Sequence, residues 1–239
     1  MTPDWLPLSP AEQSAVALSM KVAGAAVLVG LPISVVVAMV LAHTKIYGKT
    51  VVNILVLLPL VMPPVVTGYL LLIAFGTNGL IGKFLLETYD FTFAFQWTGA
   101  ALAAGIMAFP LMVRPVRLAL EGINPKLYRA SKSLGAGSIM SFFTITLPLC
   151  LPGILAALVL GFAKALGEFG ATITFVSNIS DETRTLPLAI YTLLQSPNGE
   201  ASLFRLTALS LALAIIAVII SEYLNHRVKK RLALSEAGQ

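Results

Sequence analysis

Uncharged, mostly apolar runs alternate along this chain with short charged stretches. The runs lie at 22–42, 50–82, 91–113, 133–163 and 206–221. Crossing about 30 Å of hydrocarbon takes on the order of 20 helical residues. Each run is long enough to contribute to a membrane span. The fourth is too long for one crossing and holds polar positions, so only its part from about Pro148 is expected to cross. No stretch alternates with the period of barrel strands, and backbone polar groups in lipid must be satisfied within the segment. The pattern therefore predicts an all-α integral membrane protein with a single transmembrane domain over 1–239. Its five expected spans are approximately 14–42, 50–75, 97–119, 148–176 and 204–224.

Interruptions within the spans carry more information than the spans. Pro32 falls near the middle of the first. The second contains Pro59, Pro63 and Pro64. A double proline removes two backbone donors and bars Pro63 from helical geometry, so a sharp break is expected there. Such a break serves either as a hinge lining a pathway or as a kink buried among helices, and Pro63, Pro64, Thr67 and Gly68 are the gating candidates. The fourth span is expected to run unbroken to Val176 through GFAKALGEFGATITF. Lys164 and Glu168 stand there at i, i+4, where they pair on one helix face. Ionisable residues at membrane depth mark function unless they serve packing alone, and both readings stand. Gly161, Gly167 and Gly170 are suited to close helix approach.

Between the third and fourth spans lies a polar, basic segment of approximately 120–147. Asn124 is a candidate N-cap with Pro125 at the first helical position. Leu127, Ala130 and Leu134 share one helical face. Gly135 and Gly137 are expected to end that short helix, and Ser138 to cap a second one. Two short helices meeting at glycines form an elbow suited to docking. The segment Gly76–Gln96, with Tyr89, Phe91, Phe93, Phe95 and Trp97 at or beside it, reads as a loop at the membrane interface.

Charge supplies the orientation. Of the 16 Lys and Arg residues, Lys45, Lys49, Arg114, Arg117, Lys126, Arg129, Lys132, Arg227, Lys229, Lys230 and Arg231 share one side if five spans cross. Lys21, Lys83, Arg184 and Arg205 lie on the other, with Lys164 inside a span. Basic residues favour the cytoplasmic side, which puts the amino terminus outside and the carboxyl terminus inside. The net charge of +5 thus follows from topology and does not indicate a nucleic-acid partner. Residues 1–20 lack Lys and Arg, so the first run reads as a permanent helix and not as a secretory signal. Cys150 is the only cysteine, and His43 and His226 sit beside span ends among basic residues. No metal site is expected from them, and no bound cofactor.

The segment 129–148 resembles a motif of ABC importer permeases. That motif reads EAA, three residues, Gly, nine residues, Ile, one residue, Leu-Pro. Ala130, Gly135, Ile145, Leu147 and Pro148 match it at full spacing, whereas Arg129 replaces the Glu and Ser131 the second Ala. The resemblance extends over LPLVMPPVVTGYLLL (58–72), FPLMVRPVRLALEGI (109–123), LGAGSIMSFFTITLPLCLPGI (134–154) and LGEFGATITFVSNISDETRTLPLAIYTLLQ (166–195). These stretches are similar to the sulfate and molybdate permease group of binding-protein-dependent importers, and the last is most similar to its molybdate branch.

The resemblance implies a type I importer bundle and a homodimer with its pathway along the subunit interface. It further implies two ATP-binding subunits at the cytoplasmic elbow and a periplasmic molybdate-binding protein outside. Coupling would then fall to Arg129, Ala130, Ser131, Leu134, Gly135, Gly137, Ile145, Leu147 and Pro148. The pathway would fall to Pro63, Pro64, Thr67, Gly68, Lys164, Gly167, Glu168 and Gly170. No G-x-x-x-x-G-K-[ST] occurs, so ATP and magnesium belong to the partner and the chain is not an enzyme. The resemblance implies molybdate as cargo, with tungstate beside it and a sulfate/thiosulfate permease as the alternative. An ion-coupled secondary transporter would call for broken helices in both halves and more intramembrane carboxylates. The fourth span has no counterpart to the double proline.

Overall fold

The computed structural model describes residues 8–43, 48–133, 135–197 and 199–237. Among these, regular structure is helical throughout: α1 Pro10–His43, α2 Lys49–Val61, α3 Pro64–Phe75, α4 Leu80–Tyr89, α5 Trp97–Glu121, α6 Pro125–Ser133, α7 Ser138–Ser141, α8 Leu147–Leu166, α9 Gly170–Val176, α10 Leu186–Leu194 and α11 Glu200–Ala237. A π-helical turn, Phe142–Thr146, joins α7 to α8 without a break. Lys45 and Leu134 lie outside the described residues, as do the side chains of His43, Lys132, Ser138 and the tail after Tyr223.

The centre of the bundle is α5, which buries Ala100, Ala103, Ala104 and Ala108 completely. Small side chains allow helix backbones to approach where lipid offers no hydrophobic driving force between helices. Helix α1 packs on it in the same direction. Lys21 lies over the Trp97 ring, 3.7 Å from its centroid, and further along, a Cβ at Gly30 would stand 2.6 Å from the Met112 methyl. Helix α8 packs in the opposite direction, since Gly153 faces the Pro115 carbonyl while Gly161, two turns on, faces Met112. The start of α11 is tied to the start of α1 by an Arg205–Glu12 ion pair of 2.9 Å. Glu12 also closes a capping box, accepting from the Ser9 N–H at 2.6 Å while its own N–H reaches the Ser9 hydroxyl.

These contacts settle the number of crossings. Two parallel helices, α1 and α5, require a return crossing between them. Helix α4 has ten residues, roughly 15 Å at 1.5 Å per residue, too short for the task. The return therefore belongs to α2 and α3, which bend by 114° at the double proline. Arg117, near the end of α5, donates to Asn53 in α2 at 2.9 Å, placing the start of α2 where α5 ends. Five crossings result, and the start of α1 and the end of α11 lie on opposite faces.

The expected proline break is present, and its backbone follows from local sterics. Met62 and Pro63 each precede a proline and both are extended, with φ/ψ of −72°/144° and −55°/132°. Three expectations require correction. The span expected over 148–176 is two helices, because α8 stops at Leu166 and α9 restarts at Gly170. The segment Gly76–Gln96 is not a plain loop but contains α4. The second short helix of the elbow is the leading end of a long one, since Ile139–Leu166 runs without interruption.

Candidate functional site

The elbow is built as its sequence directs at the first turn. Asn124 accepts from the Lys126 N–H at 3.0 Å through its side-chain oxygen, capping α6 behind Pro125. The helix ends as the Ala136 N–H reaches back to the Ser131 carbonyl at 3.0 Å. Gly135 provides the reversal at φ +81°, and a Cβ there would meet nothing within 4 Å. Its requirement is thus conformational and not spatial. Left-handed backbone costs a side-chain-bearing residue roughly 1–2 kcal/mol, and asparagine least among them. Gly135→Val is therefore expected to destabilise the purified protein by about 1–2 kcal/mol in thermal unfolding, with Gly135→Asn close to the original. Equal loss in both variants would mean that bulk, and not backbone, is at issue.

Ser131 turns inward. It is 7% exposed and its hydroxyl pairs with that of Ser141 at 2.9 Å, stapling α6 to α7. One of the two residues that depart from the motif thus helps to hold the elbow together. Arg129, Ala130, Gly135, Gly137 and Pro148 are exposed, and Ile145 and Leu147 half-buried. Sequence reasoning missed the apolar side chains beside them: Ile139, Met140 and Phe143 are 77%, 61% and 60% exposed. Large apolar residues in a segment that is otherwise polar were the available signal. The π-turn follows directly, with the Leu147 N–H bonded to the Phe142 carbonyl. Such turns recur at functional positions.

The pathway candidates converge. Both broken crossings restart at the same place, α3 at Pro64 and α9 at Gly170, and the two restarts pack together. A Cβ at Gly170 would stand 2.7 Å from the Pro64 Cβ; one at Gly68 would stand 2.5 Å from the Ala171 carbonyl oxygen and 2.8 Å from the Thr174 Cβ. Thr67, one residue away, is 6% exposed with an unpartnered hydroxyl. Gly167 is the exception: it caps α8 and permits no close approach, its nearest neighbour being the Ala163 carbonyl at 3.7 Å.

Glu168 organises the second break. One carboxylate oxygen receives Lys164 Nζ at 2.5 Å, and the other receives the Ala171 N–H at 3.0 Å. The first bond ties it to the end of α8, the second satisfies a free donor of α9. The Glu168 side chain is 2% exposed and that of Lys164 29%. Because the second break exists without a proline, a single break no longer argues against an ion-coupled transporter. Among the described residues no group of three His, Cys, Asp or Glu is placed to hold a metal.

An all-helical bundle of five crossings with an exposed elbow and a paired-break junction defines the chain's class as a multi-pass α-helical membrane protein. The chain belongs to the family described as binding-protein-dependent transport system inner membrane components, whose family model matches residues 30–230. It is 54% identical over 224 residues to the molybdenum transport system permease protein ModB of Escherichia coli K12, covering 94% of this chain and 98% of that one. It is 52% identical to the protein of the same name from Haemophilus influenzae, covering 92% and 96%. Among solved structures, a bacterial ABC transporter involved in alginate import aligns with TM-score 0.70 at 21% identity, over 93% of this chain and 80% of that one. The MetNI methionine ABC transporter in an inward-facing form aligns with TM-score 0.67 at 16% identity, over 95% and 99%. The fold is that of ABC importer permeases. The chain is a multi-pass inner-membrane permease subunit and not an ATPase.

Proposed function

We propose that this chain is the permease through which an ATP-driven importer carries molybdate across the cytoplasmic membrane. The carrying observation is the 54% identity, over 94% of the chain, to a molybdenum transport permease. It acts as a homodimer, with the pathway between the two copies. A periplasmic molybdate-binding protein delivers the oxyanion from outside, and two ATP-binding subunits dock on the elbows. The chain itself holds no cofactor; ATP and magnesium sit on those subunits. When ATP draws the subunits together, Arg129, Ala130, Gly135, Gly137 and the apolar side chains of Ile139, Met140 and Phe143 transmit the movement. The bundle switches as a rigid body because the partner binds one of its two states more tightly.

The junction of α3 and α9 lines the pathway and moves with the bundle. Glu168 keeps the Lys164 ammonium engaged, so the dianion meets no strong site and is released inward. Capture belongs to the binding protein, and a conduit works best when its hold on the cargo is weak. The decisive experiment reconstitutes the complete complex and compares ATPase stimulation by binding protein loaded with molybdate, tungstate or sulfate. Stimulation by molybdate above sulfate is expected. Stimulation by sulfate alone would transfer the chain to the sulfate branch, and ATPase activity indifferent to binding protein would end the importer reading.

A further inference from the structure

Helices α1, α2 and α5 do not close on one another. Helix α2 leans away from α1, leaving a groove of about 600 Å³ lined by Val29 and Ile33 of α1, Leu55 and Pro59 of α2, and Leu102 and Phe109 of α5. Trp97 forms one end of it. Trp97 opens α5 on the outer side, where tryptophan marks the membrane interface. From Trp97 to Phe109 the groove follows roughly 18 Å of helix at 1.5 Å per residue. Half the hydrocarbon thickness is about 15 Å. The groove therefore opens at the outer interface and reaches past the midplane, as far as Leu55 of α2.

A cation stands at its mouth. Lys21 is exposed, lies one helical turn before the lining residue Ala25, and holds its ammonium over Trp97 at 3.7 Å. Among the described residues that ammonium pairs with no carboxylate. From these placements we infer that the groove is a binding site for an anionic phospholipid of the outer leaflet. One acyl chain fills the slot between α1, α2 and α5, and the headgroup phosphate rests on Lys21.

The chemistry selects this occupant over others. Beyond the Thr98 hydroxyl and the Trp97 indole N–H the lining is apolar, too few donors for a dianion whose unpaired burial is costly, so the groove is not a second cargo path. An apolar helix from another copy would match the lining but would cover Lys21 without neutralising it. A phospholipid supplies both parts at the required separation. It also explains how α2 keeps its distance from α1 without leaving a void, which the packing of protein interiors does not tolerate.

The test uses the complete complex with its ATP-binding subunits, purified in detergent, stripped of lipid and offered equal amounts of palmitoyl-oleoyl phosphatidylglycerol and the phosphatidylcholine with the same chains. Retained lipid is counted by native mass spectrometry. One basic residue near a membrane surface supports about a fivefold preference for the anionic lipid, and that preference is expected here. Lys21→Gln is expected to remove the preference while keeping both lipids bound. Val29→Trp and Ile33→Trp, at lining positions already 62% and 50% exposed, are expected to reduce retention of both lipids without unfolding the bundle. Equal retention of the two lipids by the unaltered complex, or full retention by both tryptophan variants, would overturn the site. A disulfide joining two copies through Val29→Cys would overturn it in favour of a second copy.

Discussion

Gly68→Val is expected to abolish transport and to lower the stability of the bundle by about 3 kcal/mol, the upper part of the usual range for overpacking. The reason lies in what surrounds the position. The nearest atom to a Cβ at Gly68 is a backbone carbonyl oxygen, that of Ala171, at 2.5 Å, and the Ala171 Cα follows at 2.9 Å. A flexible side chain would move aside; a helix backbone moves only as a whole. Relief therefore requires α3 and α9 to separate, and with them the restarts at Pro64 and Gly170. Gly24 provides the control, because a Cβ there meets nothing within 4 Å and its helical position tolerates a side chain. Thermal unfolding of the purified complex and uptake of labelled molybdate measure the two effects. If Gly68→Val unfolds at the temperature of Gly24→Val and still transports, the close approach is not what holds the junction.

The two breaks differ in how openly the chain announces them. Met62-Pro63-Pro64 dictates extended backbone through sterics that involve only neighbours, so that break is visible in the sequence and appears where expected. The break after Leu166 has no proline. It depends on Glu168 reaching forward to the Ala171 N–H and backward to Lys164. An i, i+4 Lys–Glu pair is equally at home on an unbroken helix, which is why the spacing suggested continuity. A carboxylate followed three residues later by the first free N–H of a helix, with Gly167 and Gly170 on either side, was the available signal for a restart. The elbow shows the same division. Its cap at Asn124 and its reversal at Gly135 are local and were legible. That Ser138 opens a long helix, and that Ser131 bonds to Ser141, depends on how two segments pack, which no local pattern encodes.

The Lys164–Glu168 pair separates structure from function when its two halves are removed in turn. Lys164→Met leaves the Glu168 carboxylate, 2% exposed, with the Ala171 N–H as its remaining partner. Breaking a buried pair from this side is expected to cost roughly 3 kcal/mol. Glu168→Gln is milder, about 1 kcal/mol, because the amide oxygen still accepts from Ala171 and the freed ammonium, 29% exposed, can hydrate. The double variant is expected to cost less than the two singles added together, since neither change then strands a charge. Additive losses would show that the pair contributes nothing as a pair. Transport should follow a different order from stability. In Glu168→Gln the ammonium is released into the junction, where it holds an oxyanion that the intact pair lets pass. Uptake by Glu168→Gln is thus expected to fall severalfold in a complex that still assembles, with the larger share of the loss in turnover and not in binding-protein affinity. Unchanged uptake by an assembled Glu168→Gln complex would reduce the pair to a packing device and move the pathway away from α9.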